Sequence, residues 1–381
     1  MTNVQRVILV SAKAGTGHIR AAEAIEEAFH LHHPAVNVRH IEILEYTNAL
    51  FRTIYTGGYS HIVENHTLLW RFIYEKSNAM SPKAFDKRMT EFVDWLNCRP
   101  FMAFMRREDP DATVVTHFLA AEIVARMRRR GQLSGMLYVM VTDFDVHSMW
   151  THEGVDKYLV ASSEIAEVLR MKGIPEDRIQ VVGIPIVAAF SKEYPDRRTM
   201  RRNLNLREEP TTVLVSAGGF GLSRVDRTVA MLVESAPDVQ IIAVAGRNER
   251  LKRDLEKIAA THPGRVVPTG FVKNMHELMA ASDFTVAKSG GLTVSECMAM
   301  GLPMIVFDPV PGQEERNADY LLENGAALRA NSLSVLLYKF KRLLNEPERL
   351  ARMRDAIRRL AHPHAARDVC DAVMRDKEGL A

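Results

Sequence analysis

The sequence predicts an α/β protein of two domains, each built on a parallel sheet with crossover helices, and three observations carry that prediction. Short β-branched runs alternate with helical patterns along most of the chain. A length of 381 residues exceeds one ordinary core, for which roughly 150 residues is the usual allotment. A proline- and charge-rich stretch, "PIVAAFSKEYPDRRTMRRNLNLREEPTT" (185–212), interrupts the rhythm before a fresh strand, loop and helix begin at Thr211. The expected domains are residues 1–190 and 191–381, facing each other across a cleft, with the last helix packing back on the first domain.

The expected strands follow in order. The first half offers "RVILVSA" (6–12), "VNVRHIEI" (36–43), "ATVVTHF" (112–118), "MLYVMVTD" (136–143), "KYLVAS" (157–162) and "IQVVGIP" (179–185). The second half offers "TTVLVSAGG" (211–219), "QIIAVAG" (240–246), "RVVPTGF" (265–271), "FTVAKSG" (284–290) and "PMIVFDP" (303–309). Between about 46 and 108 no strand is visible. That segment interleaves Phe51, Tyr55, Tyr59, Trp70, Phe72 and Tyr74 with Arg52, Arg71 and Lys76. Such a pattern suits either a lipid headgroup boundary or a helical insertion whose aromatics are core.

Fifty Lys and Arg against 47 Asp and Glu give a formal charge of +3, which argues against nucleic-acid binding by bulk charge. The basic residues are nevertheless clustered, in "ARMRRR" (125–130), in "RRTMRRN" (197–203) and in the Arg-rich C-terminal stretch. These runs read as solvated helix faces or as contacts to an anionic membrane surface. Cys98, Cys297 and Cys370 are odd in number and lack metal-ligand spacing, which suggests a reducing compartment. No apolar run approaches the roughly 18 residues of a spanning helix. The expectation is a cytosolic protein with peripheral membrane contact.

The glycine-rich loops carry the chemistry. "SAKAGTGH" (11–18) follows a strand and precedes a helix, so Gly15 and Gly17 allow a tight turn and close backbone approach while His18 projects at the helix head. The phosphate-loop pattern needs Lys after its last glycine and fails at His18; the dinucleotide pattern lacks its third glycine at Arg20. A histidine at a helix N-terminus favours the neutral imidazole and suits a general base, though a capping or packing role is the simpler alternative. In the second half, "SAGGFGLS" (216–223) supplies Gly218, Gly219 and Gly221. In "AKSGGLTVSECMAMGLPMIVF" (287–307), Ser289, Gly290 and Gly291 open a helix whose amides suit a pyrophosphate. Glu296 follows where a carboxylate can accept two ribose hydroxyls. Gln313 and Glu314, bracketed by Pro311 and Gly312, offer an amide and a carboxylate to sugar hydroxyls, or are ordinary loop residues.

Together these motifs resemble glycosyltransferase family 28, with its two-domain GT-B fold. Within it the chain looks most like the diacylglycerol glycosyltransferases, the monogalactosyldiacylglycerol synthases and processive diacylglycerol glucosyltransferases. The resemblance runs from "SAKAGTGH" to "ENGAAL" and includes "KSGGLTVSECMAMGLP", "PGQEERN" and "VTDFDVHSMWTHEGVDKYLVAS" (141–162). It implies that Phe271 and Val272 hold the uracil, that Gly219, Phe220, Ser289, Gly290 and Gly291 surround the diphosphate, and that Glu296 binds the ribose. Gln313 and Glu314 would read the donor sugar, and His18 would be the base. Asp143 would orient that base, and Gly15, Gly17, His147 and Trp150 would line the acceptor site.

The implied reaction is inverting transfer of glucose or galactose from a UDP-sugar to the hydroxyl of diacylglycerol, at the cytoplasmic face of the membrane, without metal or cofactor. Asp143–Asp145 also fits the metal-binding Asp-x-Asp pattern of another glycosyltransferase fold. Rival readings are transfer to another lipid, a UDP-sugar 2-epimerase of the same fold, a dinucleotide-dependent oxidoreductase and a non-catalytic binding module.

Overall fold

The computed structural model describes residues 4–13, 15–53, 97–216 and 225–378. The expected aromatic residues Tyr55 to Tyr74, and the loop with Gly219 and Phe220, lie outside the described residues. The chain divides into two units, residues 1–188 with 364–381, and residues 189–363.

In the first unit the described residues form one parallel sheet from β1 (Arg6–Ser11), β2 (Asn37–Glu42), β3 (Ala112–Val115), β4 (Met136–Met140), β5 (Lys157–Val160) and β6 (Ile179–Val181). The strand order is β2-β1-β3-β4-β5-β6. β1 pairs with β2 from Arg6↔Asn37 to Ser11↔Glu42 and with β3 from Val7↔Ala112 to Val10↔Val115. The winding direction therefore changes between β1 and β3, where open parallel sheets leave a crevice at the carboxyl ends of their strands. Helices α1 (Gly17–His32), α2 (Ala49–Thr53), α3 (Arg99–Glu108), α4 (Phe118–Arg129) and α5 (Ser163–Met171) belong to this unit.

Why β1 is apolar along its length follows from burial on both faces. Ile8 and Val10 pack with Val115, Leu137 and Val139 against Phe101, Met105, Leu119, Val124 and Ile165 of α3, α4 and α5. Val7 and Leu9 face the other way, with Val114, Tyr138 and Met140, onto Ile25 and Phe29 of α1. Phe51 of α2 packs against the first of these clusters, as an ordinary core aromatic.

In the second unit the described residues form a second parallel sheet from β7 (Thr211–Ser216), β8 (Val239–Val244), β9 (Val266–Thr269), β10 (Phe284–Ala287), β11 (Met304–Phe307) and β12 (Ala327–Ala330). The order is β12-β11-β10-β7-β8-β9. Counted from β7 this is the doubly wound order of nucleotide-binding sheets, with its switch between β7 and β10. Its helices are α6 (Arg197–Asn203), α7 (Val225–Ser235), α8 (Glu249–Thr261), α9 (Met275–Ala281), α10 (Gly291–Ala299), α11 (Gln313–Glu323), α12 (Leu333–Asn345) and α13 (Pro347–Arg359). β12 is absent from the expected strands, because this four-residue edge strand carries Ala, Leu and Arg rather than a β-branched run. Its Arg329 is tied to Glu315 at 2.7 Å. After α13 the chain returns to the first unit as α14 (Ala365–Glu378), whose Val369, Cys370 and Val373 join the cluster under α1.

The basic runs divide: Arg129, Arg130, Arg198 and Arg202 are exposed, as expected of solvated helix faces, whereas others turn inward or toward acids. Arg126 is buried and pairs with Glu122 at 2.8 Å, Arg128 bonds Asp156, and Arg129 stands 3.5 Å from Glu153. In α6 Arg202 holds Glu208 through two bonds of 2.9 and 2.7 Å, while Arg201 is buried. Nearby acids engage these guanidiniums because their stems cross the helix surface toward neighbouring elements.

Candidate active site

His18 stands in the first turn of α1, directly beyond the carboxyl end of β1. The turn that delivers it requires glycine at position 15, where φ is +92°. Gly17 has no such requirement; a Cβ there would meet nothing within 4 Å, so the space beside it is open. Thr16 makes no side-chain cap to α1, and no acid occupies the first turn.

The imidazole is fixed by two residues at the ends of neighbouring strands. Its Nδ1 lies 2.7 Å from the Thr116 carbonyl, beyond β3, and 2.9 Å from the Thr142 hydroxyl, beyond β4. A carbonyl only accepts, so Nδ1 carries the proton and Nε2 carries the lone pair. The Thr116 hydroxyl donates back to the His18 carbonyl at 2.8 Å, closing the link between α1 and β3. Desolvation pulls the His18 pKa down to about 4, against the opposing hydrogen bond to Thr116. The ring is therefore neutral at pH 7.

Aromatic rings extend the site. His117 meets His18 edge-on at 4.6 Å between centroids, Phe118 lies 4.1 Å from His117, and Trp150 is 6.1 Å from Phe118 and 6.4 Å from His18. His117 caps α4, its Nδ1 accepting from the Leu119 N–H at 3.1 Å, and burial holds its pKa well below the usual value. Asp143 follows Thr142 directly and is buried. His147 is buried too, and its Nδ1 accepts the Met149 N–H at 3.1 Å, which caps the short 3₁₀ turn that carries Trp150. The structure thus gathers Gly15, His18 and Trp150 at one crevice, with Gly17 opening it. His147 acts there as a cap.

In the second unit the loop after β10 leads through Ser289 and Gly290 into α10. Gly290 is the cap residue and supplies no side chain, so nothing from that residue covers the first amides of the helix. Ser289 is buried; its hydroxyl donates to the Glu314 carbonyl at 2.7 Å, and Asn317 donates to the Ser289 carbonyl at 3.0 Å. The serine thus fastens this loop to the first turn of α11, where Gln313 and Glu314 stand as helix residues rather than the expected loop residues. Glu314 accepts the Val310 N–H at 2.6 Å, and its other oxygen would lie 3.6 Å from a Cβ on Gly290. Burial raises the Glu314 pKa, opposed by the Val310 bond and the Lys288 charge. Glu296 is half-buried on α10. Arg316 lies 3.8 Å from Asp319, a local ion pair.

Phe271 is 53% exposed beyond β9, with the Arg247 guanidinium 4.8 Å above its ring; Val272 beside it is half-buried. An exposed aromatic with a cation on one face suits a heteroaromatic base on the other. Sequence reasoning missed Thr116, Thr142, His117, Arg247 and Lys288. Their signal was position, each standing at or just beyond the carboxyl end of a parallel strand. Among the described residues no three His, Cys, Asp or Glu side chains are grouped to hold a metal ion.

Residues 18–186 match the family model of monogalactosyldiacylglycerol synthase, and residues 196–360 match that of glycosyl transferases group 1. The chain is 28% identical over 379 residues to a processive diacylglycerol β-glucosyltransferase of Bacillus thuringiensis, covering 97% of this chain and 94% of the relative. Among solved structures it resembles Acinetobacter baumannii MurG, with TM-score 0.64, 16% identity and coverage of 97% and 99% of the two chains. It also resembles the UDP-GlcNAc 2-epimerase of Neisseria meningitidis bound to UDP-GlcNAc, with TM-score 0.60, 14% identity and coverage of 97% and 100%. These likenesses accord with the GT-B class, two Rossmann-like units in one chain. The matches bear out the resemblance to glycosyltransferase family 28, in the group of the monogalactosyldiacylglycerol synthases and processive diacylglycerol glucosyltransferases.

Proposed function

We propose that this chain is an inverting glycosyltransferase that moves a hexose from a UDP-sugar to the hydroxyl of diacylglycerol, giving a β-glycosyldiacylglycerol. The Bacillus relative matched along nearly the whole chain favours glucose as the sugar. The observation that carries the reading is the neutral His18, held through Nδ1 by the Thr116 carbonyl so that Nε2 is the basic atom.

In this mechanism Nε2 takes the proton of the acceptor hydroxyl as its oxygen attacks the anomeric carbon from the face opposite UDP. The new C–O bond forms as the bond to the diphosphate breaks, and the electron pair leaves with UDP. Inversion turns an α-linked donor into a β-glycoside. The uncapped amides at the start of α10 meet the charge that develops on the diphosphate, with Lys288 beside them. Phe271 stacks on the uracil, Glu296 accepts from the ribose, and Gln313 with Glu314 address the sugar. The Thr116 carbonyl and the Thr142 hydroxyl orient the base, in place of the expected Asp143, and the rings of Trp150 and Phe118 offer the acceptor an apolar wall.

No helix among the described residues is long and apolar enough to cross a membrane. Diacylglycerol resides in the bilayer, so we place the enzyme peripherally, at the cytoplasmic face. The decisive experiment is incubation with dioleoylglycerol in mixed micelles and labelled UDP-glucose or UDP-galactose, with and without EDTA. A lipid-soluble β-linked product that survives EDTA is expected. An altered UDP-sugar formed without any acceptor would instead establish the epimerase reading.

A further inference from the structure

Two basic runs that lie far apart in the sequence meet in the second unit around one carboxylate. Arg197 and Arg201 come from α6, Arg354 and Arg358 from α13, and Asp283 immediately precedes β10. Arg201 is fully engaged, donating to the Ala281 carbonyl at 3.0 Å, the Glu208 carbonyl at 2.9 Å and the Asp283 carboxylate at 2.5 Å. Asp283 is engaged as well, because the same oxygen accepts the Thr212 N–H at 2.9 Å.

The other three guanidiniums are less well answered. Arg197 gives its Nε to the Ser282 carbonyl at 2.9 Å and stands 3.7 Å from the remaining Asp283 oxygen. Arg354 reaches only the Asp283 carbonyl, at 3.3 Å, and its Nε is buried with no hydrogen-bond partner. Arg358 lies against Gly301, where a Cβ would come within 2.6 Å of its Nε, and no carboxylate among the described residues pairs with it. Asp355 is the one further acid whose charge reaches Arg354. Four guanidiniums thus face two carboxylates. Burial and then the Arg354 charge pull the Arg197 pKa down to about 10, against Asp283. Cations gathered in partly dry surroundings are costly without a counter-charge.

The geometry points to a phosphoryl-binding site formed by Arg197, Arg354 and Arg358, at the amino-terminal edge of the second sheet. Planar guanidinium forks match phosphoryl oxygens bidentately, and Arg358, the exposed member of the group, offers its fork to a ligand from solvent. The site lies at the opposite end of β10 from Ser289 and Gly290, so it is separate from the donor loops and does not depend on the function proposed above. Its ligand is a phosphate mono- or diester, either a small soluble phosphate or the headgroup of an anionic phospholipid.

The test uses the full chain, with Arg354→Gln/Arg358→Gln and Arg358→Gln alone as variants. Calorimetric titration with inorganic phosphate and with glycerol 3-phosphate is run under saturating UDP, which keeps the donor loops filled. Flotation on vesicles of phosphatidylglycerol in phosphatidylcholine is compared with phosphatidylcholine alone. For a soluble ligand, the wild type binds phosphate saturably and the double variant binds about tenfold or more weakly. For a headgroup, the phosphatidylglycerol vesicles float the wild type and not the variant.

Neither form of binding by the wild type, or binding unchanged in both variants, overturns the site. Arg358 is exposed, so its single variant keeps the test readable if the double variant does not fold. Unchanged UDP affinity in both variants marks the effect as separate from the donor site. If UDP itself does not bind, the phosphate titration is read without it, and the two proposals fail separately.

Discussion

In the proposed mechanism the chemistry turns on His18. Its replacement by alanine is expected to lower kcat by about 10²–10⁴, the usual contribution of a positioned base, with UDP affinity retained. Single-turnover rates beside a UDP titration check this, and a variant of full activity would remove histidine from the mechanism. Its depressed pKa makes a second prediction. Protonation of His18 near pH 4 sets the acid limb of kcat/KM, so activity should persist through pH 6 and 5, where an ordinary histidine near 6.5 would already be charged. An acid limb at 6 to 6.5 in the pH profile would contradict the desolvated site. Glu296 belongs at the same scale. Glu296→Ala should weaken UDP binding about tenfold or more by removing an acceptor of two ribose hydroxyls, and unchanged calorimetric affinity would refute the assignment.

At the scale of elements, the proposed donor site is the loop before α10 joined to the first turns of α11 by one serine and one asparagine. Asn317→Ala removes the donor to the Ser289 carbonyl and leaves a buried polar group unpaired, at a cost of about 1–3 kcal/mol. A lower thermal midpoint together with a raised KM for the UDP-sugar is expected; a raised KM at unchanged stability would mean that Asn317 contacts the donor directly. The turn between β1 and α1 makes a parallel case. Gly15→Ala forces an L-residue to φ +92° and should cost about 1–3 kcal/mol in local strain, displacing His18. Gly17→Ala meets open space and should leave the fold intact, so any loss of activity there would report on substrate. Comparing melts and rates of the two variants separates these effects.

Over the whole molecule, the buried histidines couple folding to pH. His18, His117 and His40 all have folded pKa values below 6.5, each chiefly through desolvation. The unfolded chain therefore binds more protons than the folded one below pH 6.5. The stability that these groups confer is complete above that pH and is lost as pH falls toward their folded values. Glu314 acts in the opposite sense, because burial raises its pKa and favours the protonated form in the folded state. Urea midpoints should decline between pH 6.5 and 4, and His117→Gln should flatten that decline if it folds. A midpoint independent of pH across this range would show that the histidines are solvated.

Hydrophobic rhythm alone was enough to find eleven of the twelve described strands, because a parallel strand buried on both faces must be apolar along its length, as Val7 to Val10 are. The glycine-rich loops were legible too, since each stands where a strand ends and a helix begins. "SAKAGTGH" and "KSGGLTVSE" thus mark Gly15, His18, Ser289, Gly290, Gly291 and Glu296 without coordinates. β12 escaped because an edge strand of four residues needs no β-branched run.

What only the tertiary structure decided is which distant residues meet. Thr116 lies 98 positions from His18 and Thr142 lies 124, yet their strands set the tautomer that leaves the lone pair on His18 Nε2. The arginine runs, alike in composition, divide into groups tied to acids and a group facing too few of them. Sheet order sets these distances, and local periodicity carries no information about sheet order.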